Sequence, residues 1–199
     1  MGVSSTDRVL AEAFGPDSGT ILRVKQAALV VLGVLVLAVA AKISVPMWPV
    51  PITMGTFAVL SIGAAYGPRL GLTTILGYLI IGALGFDVFA GSSAEKFGLT
   101  YMMGGTGGYL VGYVLATLAL GYLARRGWDK SVIWMALAML VGNFLIYVPG
   151  LLWLGQLYGW DQPILAWGLT PFVIGDVLKL LLAALVVPAA WKLLGNARA

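Results

Sequence analysis

The chain has 199 residues, 60% of them hydrophobic and only 10% charged, with a formal net charge of +4. Soluble domains carry roughly 25% charged residues, whereas six membrane helices of about 20 residues would occupy about 120 residues, close to the apolar complement available here. With a mean hydropathy of +0.97, a soluble globular domain is excluded and an integral membrane protein is implied.

Residues 1–21 mix polar and apolar side chains, with Gly15-Pro16 and Asp17-Ser18-Gly19 as breakers, and are too polar for a signal-peptide core. They are expected to form a cytoplasmic extension with one amphipathic turn around residues 9–14. The membrane domain, 22–199, follows. Its apolar stretches are 27–45, ended by Pro46, Pro49 and Pro51; 52–66, ended by Gly67-Pro68-Arg69; and 70–86. A polar segment, 87–105, carries Glu95 and Lys96. Then come 106–123; 131–154, interrupted late by Pro149-Gly150; and 170–194, after a polar and aromatic loop. The pattern predicts an all-α integral membrane fold of six transmembrane helices in the lipid bilayer. Several stretches are short for a full crossing, as is usual where helices pack around a cavity.

Lys and Arg placement sets the orientation. With the N-terminus inside, the cytoplasmic side receives Arg8, Arg23, Lys25, Arg69, Arg125, Arg126, Lys130, Lys192 and Arg198, and the outer side only Lys42 and Lys96. Both termini are therefore expected in the cytoplasm. The basic residues form no stripe, so no nucleic-acid partner is expected. Small residues at four-residue spacing, Gly63/Gly67/Gly71 and Gly104/Gly108/Gly112/Ala116, predict close helix approach within the chain, with a dimer face as the alternative.

Only one of the eight carboxylates, Asp176, falls inside an apolar helix, and three residues later comes the only intramembrane cation, Lys179. That spacing puts both on one helical face. Charges at such depth cost several kcal/mol and face a protein interior, so the pair reads as a polar anchor for a small ligand; a pair that merely fixes helix packing is the alternative. Counting from Thr170 at 1.5 Å per residue, the pair lies roughly 9–14 Å into the outer half of the membrane. Thr53, Thr56, Tyr78, Thr106, Tyr109 and Asn143 converge on the same level. Trp48, Trp153, Trp160 and Trp167 fall near the outer loops, as an interfacial belt or a cover for a pocket mouth.

Enzymatic readings fail on composition. Without Cys or His there is no thiol nucleophile, Ser–His pair, or usual zinc, haem or copper ligand set, and no metal or cofactor is expected. No Gly-x4-Gly-Lys-Ser/Thr loop is present for ATP hydrolysis. The Gly104–Gly108 run follows a loop and opens a membrane helix, which makes a poor phosphate cradle. The chain is expected to bind a ligand and to borrow its energy.

The segments VPITMGTFAVLSIGAAYGPRLG (50–71), GALGFDVFAG (82–91), YMMGGTGGYLVGYVLA (101–116), YVPGLLWLG (147–155) and TPFVIGDVLKLLLAAL (170–185) resemble the BioY family, the biotin-specific S subunits of energy-coupling-factor (ECF) transporters. The resemblance implies a six-helix S-component fold and a biotin pocket near the outer surface. It also implies a transmembrane coupling subunit and ABC ATPases as partners, and a location in a prokaryotic cell membrane. It places Asp176 and Lys179 in the pocket. Lys179 would meet the valerate carboxylate or the ureido carbonyl; Asp176 would accept from a ureido N–H or hold Lys179. The family pattern has Gln where Gly55 stands, Pro where Asp87 stands and Pro where Gly105 stands, so Gly55 removes a donor and an acceptor at the pocket edge. An S component for another vitamin and a non-transport membrane assembly protein are the alternatives.

Overall fold

The structure, a computed structural model, describes residues 8–16, 18–91 and 96–196. Asp7, Asp17, Glu95, Arg198 and the first seven residues of the N-terminal extension lie outside the described residues. The main helices are α1 (Gly19–Lys42), α2 (Gly55–Ala83), α4 (Gly107–Arg125), α5 (Val132–Tyr158) and α7 (Val173–Asn196). Two short helices, α3 (Gly98–Met102) and α6 (Ile164–Gly168), sit in the loops. Strands β1 (Ser44–Val45) and β2 (Ile52–Thr53) pair antiparallel, Ser44 opposite Thr53, and close the proline-rich loop after α1.

Gly67 divides α2. Its φ of 74° and ψ of 178° are non-helical, and Pro68 follows. Eight residues of unbroken helix span about 12 Å, yet a Cβ at Gly71 would lie 3.6 Å from the Cα of Gly63. The chain therefore folds back at Gly67, and α2 is a tight helical hairpin with arms 55–66 and 68–83. The break expected at Gly67-Pro68-Arg69 is present. Among the described residues, α1, α4, α5 and the stretch Ile164–Leu193 are long and apolar enough to cross a membrane. The arms of α2, at about 18 and 24 Å, are shorter.

The helices pack in the order α1, α2, α4, α5, α7, and α7 returns to touch α2. α4 is central, with 56% of its span buried against 28% for α1. On α1 the buried stripe is Gly33, Val34, Leu37, Ala40 and Ala41, while Val31, Leu32, Leu35 and Val39 are exposed. Exposed aliphatic side chains along such a helix mark the lipid-facing surface of a membrane protein. The small-residue ridges are internal. A Cβ at Gly112 would lie 2.6 Å from the Cα of Ile146, one at Gly108 2.3 Å from the carbonyl oxygen of Pro149, and one at Gly121 2.4 Å from the nitrogen of Pro68. The Gly104–Gly108 run thus serves backbone approach.

Several boundaries differ from the sequence reading, and residues 44–45 and 52–53, read as helix, form the short strands instead. α1 begins at Gly19 rather than 27, because Arg23 and Lys25 are carried inside the helix on long stems. α5 runs unbroken through Pro149-Gly150 to Tyr158, since neighbouring helices let a membrane helix tolerate proline. α7 begins at Val173, behind a 3₁₀ turn at Thr170–Phe172, so Asp176 lies in its first turn. Asp176 and Lys179 are accordingly about 5 and 9 Å along α7, shallower than counted from Thr170.

The N-terminal extension docks on the hairpin turn. Val9, Ala11 and Ala13 are buried while Phe14 is exposed, the amphipathic turn expected there, with a 3₁₀ turn at Leu10–Glu12. Glu12 pairs with Arg125 at 2.6 Å. Beside it, Asp129 in the 3₁₀ turn Trp128–Lys130 is fully buried and accepts from Trp191 Nε1 at 2.6 Å. Burial pushes its carboxyl up to about 6, against the downward pull of the Trp191 bond and the Lys130 charge. The folded state then holds its proton more tightly than the unfolded chain, so stability falls as pH rises from about 4 to about 6 and is flat above. Asp129→Asn, which keeps an acceptor for Trp191, is expected to remove that slope and to raise the melting temperature at pH 7; thermal unfolding in detergent at pH 4.5, 5.5 and 7 reads both.

Candidate functional site

At the end of the bundle opposite the Gly67 turn, the C-terminal part of α1 and the N-termini of α2, α4 and α7 surround a narrow cavity. It holds about 640 Å³ counting its open mouth. Leu37, Ala41, Val50, Leu110 and Phe172 give it apolar walls; Tyr78, Tyr101, Tyr109, Tyr113 and Tyr147 give it aromatic faces; Thr53, Thr56, Thr106 and Lys179 supply polar atoms.

Lys179 is 8% exposed and Asp176 6%. Lys179 Nζ donates to Asp176 Oδ1 at 3.0 Å and to Thr56 Oγ1 at 3.0 Å, while Tyr147 donates its hydroxyl to Asp176 Oδ2. The pair is neutral and both carboxylate oxygens are satisfied, the condition under which burying two charges is tolerable. An ammonium has three N–H donors. Two are used here, which leaves one for a bound molecule. Lys179 lines the cavity wall; Asp176 does not. Asp176 lies behind the lysine and is joined to the cavity through it.

Of the residues singled out from sequence, Thr53, Gly55, Tyr78, Thr106, Tyr109 and Lys179 line the cavity, and Asp176 is joined to it through Lys179. Asn143 is not on the wall. α5 is turned so that Tyr147, one helical turn further on, faces Asp176. Tyr109 donates to the carbonyl oxygen of Gly168 at 2.8 Å and Tyr78 to that of Val88 at 3.1 Å, so both hydroxyls fix loops while their rings face the cavity. Thr56, placed at this level from sequence, also lines the cavity, whereas Tyr101, Tyr113 and Tyr147 were absent from the sequence-derived site. Tyr113 follows Tyr109 by one turn of α4, which was the available signal.

Gly55 has a local cause. Its N–H donates to Thr53 Oγ1 at 2.9 Å, and a Cβ there would lie 2.9 Å from Thr53 Oγ1 and 3.0 Å from the Tyr113 hydroxyl. The tyrosine hydroxyl fills the space that a side chain at position 55 would need. Polar atoms at this edge are thus supplied across the cavity, from α4.

The mouth is dressed by loops. Phe89 is 1% exposed, stacks on Tyr101 at 4.9 Å and meets Tyr78 edge-on at 5.3 Å. Gly82 leaves room for its ring, since a Cβ there would sit 2.1 Å from Phe89 Cζ. Lys42 donates to the Phe89 carbonyl oxygen at 2.8 Å and pairs with Asp87, so the Asp87 departure from the family pattern carries an ion pair. Trp48 packs edge-on against Trp167 at 4.8 Å and Tyr158 at 5.4 Å. Trp153 donates to the carbonyl oxygen of Gly104 at 2.8 Å, and Trp160 is exposed, as an interfacial side chain would be.

The sequence model of the BioY family matches residues 13–196. The chain is 38% identical over 175 residues to a probable biotin transporter BioY of Pyrococcus horikoshii, covering 88% of this chain and 99% of that one. It is 34% identical over 155 residues to the biotin transporter BioY of Thermotoga maritima, covering 78% and 89%. Its fold is similar to the crystal structure of the S-component for biotin from an ECF-type ABC transporter, with a TM-score of 0.73, 20% identity, and 88% of this chain and 95% of that chain covered. That structural likeness identifies the S-component fold, and the sequence match adds the lineage: this chain belongs to the BioY family.

Proposed function

We propose that the chain is the biotin-capture subunit of an ECF-type importer in a prokaryotic cell membrane, where it is a multi-pass membrane protein. The observation that carries this reading is the Tyr147–Asp176–Lys179–Thr56 chain of hydrogen bonds at the wall of a tyrosine-lined cavity. One lysine N–H is free for the ligand, and the apolar walls suit a fused bicyclic ring and an aliphatic tail. Biotin's ureido N–H groups would find acceptors in the Thr53, Thr56 and tyrosine hydroxyls. The cavity would open to the outer side, both termini would lie in the cytoplasm, and the arms of the α2 hairpin would complete six spans. A transmembrane coupling subunit and ABC ATPases would drive release inward. The likeness of the fold to an ECF S-component and the two named relatives support this partnership.

The neutral Asp176–Lys179 pair favours one ligand orientation. A valerate carboxylate on Lys179 would leave one net negative charge buried, whereas the ureido carbonyl adds none. The lysine is therefore assigned to the ureido oxygen and the carboxylate to the mouth. Biotin methyl ester should then bind within about tenfold of biotin; a loss of a thousandfold would reverse the assignment.

Tyr113 takes the role of the residue lacking at Gly55. Tyr113→Phe and Gly55→Ala are each expected to weaken biotin binding about five- to tenfold, the scale of one hydrogen bond to a buried polar group. The double variant should be little worse than either single, because both act on one hydroxyl. Displacement of radiolabelled biotin checks the vitamin itself: unlabelled biotin should compete and thiamine and riboflavin should not. Equal competition by either would favour an S component for another vitamin.

A further inference from the structure

A second cavity lies at the opposite end of the same helices, among the 3₁₀ turn Leu10–Glu12, the first turns of α1 and the start of the second arm of α2. It spans about 1,360 Å³ counting the open solvent at its mouth and is lined by Arg8, Lys25, Arg69 and Arg125, with Glu12 as the carboxylate on its described wall. On α1 the residues it uses, 22 to 29, are about 20 Å below the Leu37 and Ala41 of the ligand cavity. The two sites are separate.

Two of the cations are held in place. Arg125 is bonded by Glu12, and Lys25 donates to the carbonyl oxygen of Phe14 with its ammonium 5.3 Å from the centre of the Phe14 ring. Arg69 is exposed, and its guanidinium has no partner among the described residues. Neither Lys25 nor Arg69 has a carboxylate partner among the described residues, and both stand on this wall. The rest of the wall is mixed, with Gln26, Tyr66 and Thr73 beside the apolar Leu22, Leu29 and Leu70, and Ile21 and Val24 of α1 are exposed nearby. A basic rim beside these apolar side chains, at the end of membrane helices, matches a molecule with an anionic head and a hydrocarbon tail.

We propose that this cavity is a binding site for the phosphate headgroup of an anionic phospholipid, with Arg69 and Lys25 as its principal contacts and an acyl chain running along Leu22 and Leu29. A free phosphate shares the headgroup chemistry but makes no use of the apolar side chains.

The test is native mass spectrometry of the full-length chain, purified in mild detergent and offered phosphatidylglycerol, phosphatidylcholine or inorganic phosphate. Phosphatidylglycerol should be retained at least fivefold over phosphatidylcholine, and millimolar inorganic phosphate should not displace it. Arg69→Gln and Lys25→Gln should each lower retention about fivefold, the scale of one cation at an anionic surface. Arg126→Gln removes the same charge from an exposed position outside the cavity and should change it less than twofold. Equal retention of the two lipids would overturn the proposal. So would equal effects of Arg69→Gln and Arg126→Gln, which would mean diffuse attraction, or displacement by inorganic phosphate, which would mean a simple anion site. Biotin binding by the Arg69→Gln protein, read in parallel, reports on the fold and on the ligand cavity independently.

Discussion

Lys179→Ala is expected to weaken biotin binding at least a hundredfold and to destabilise the protein at the same time. Among the described residues the ammonium is the one cation on the ligand cavity wall, so its removal is expected to take away the charge-assisted bond to the ligand. It also strands Asp176, which keeps only the Tyr147 bond, inside the membrane domain. Breaking a buried pair by deleting one partner costs roughly 3–5 kcal/mol. Asp176→Asn is expected to be milder on binding, at about tenfold or more, because the asparagine carbonyl can still accept from Lys179. Its stability cost should remain, since the lysine charge is then unbalanced. The two effects separate in Asp176→Leu/Lys179→Met, which removes both charges. Melting temperature should recover towards wild type in that variant while binding stays lost. A positioning or packing role alone for the pair predicts the opposite for binding, which would survive wherever the fold survives.

Gly121→Ala is expected to destabilise the fold strongly. Its Cβ would stand 2.4 Å from Pro68 N and 2.6 Å from the carbonyl carbon of Gly67. Those are backbone atoms at the reversal of the α2 hairpin, with no side-chain end to swing aside. α4 would have to move away from the turn, opening the interface that holds α2 and α4 together and lifting the seat of Val9 on Gly67. Overpacking of this kind costs roughly 1–3 kcal/mol and more where backbone must shift, so a loss of about 3 kcal/mol is expected, read as a lowered melting temperature and faster proteolysis. Gly175→Ala, where a Cβ meets nothing within 4 Å, is the matched control and should leave both unchanged.

How much of this was legible in sequence follows from what each signal measures. Asp176 and Lys179 stood out because charge inside an apolar helix is costly wherever the helix packs. The break at Gly67-Pro68 stood out because no ordinary helix interior holds that dipeptide, and the four-residue glycine spacing announced close approach. Asn143 and Tyr147 were not separable, because hydropathy along a helix buried in lipid on one side and protein on the other does not fix its rotation. α5 exposes Phe144 and Val148 to the bilayer and buries Ile146, and that rotation turns Tyr147 to the site. Tyr101 and Tyr113 were not singled out from sequence; only the third dimension shows their hydroxyls beside Thr106 and Thr53. Pro149 read as an interruption, yet its helix continues because Gly108 lets α4 pack directly on that turn. The Gly55 departure was visible in sequence, but its compensation by Tyr113 was not, because the two lie on different helices.

The most direct measurement is calorimetric titration of biotin into the purified, detergent-solubilised chain after stripping any bound ligand. Nanomolar binding at one biotin per chain, reduced at least a hundredfold in Lys179→Ala, is the predicted result. A well-folded sample that releases no heat with biotin, or a Lys179→Ala protein that binds as the wild type does, would contradict the assignment of this cavity as a biotin site.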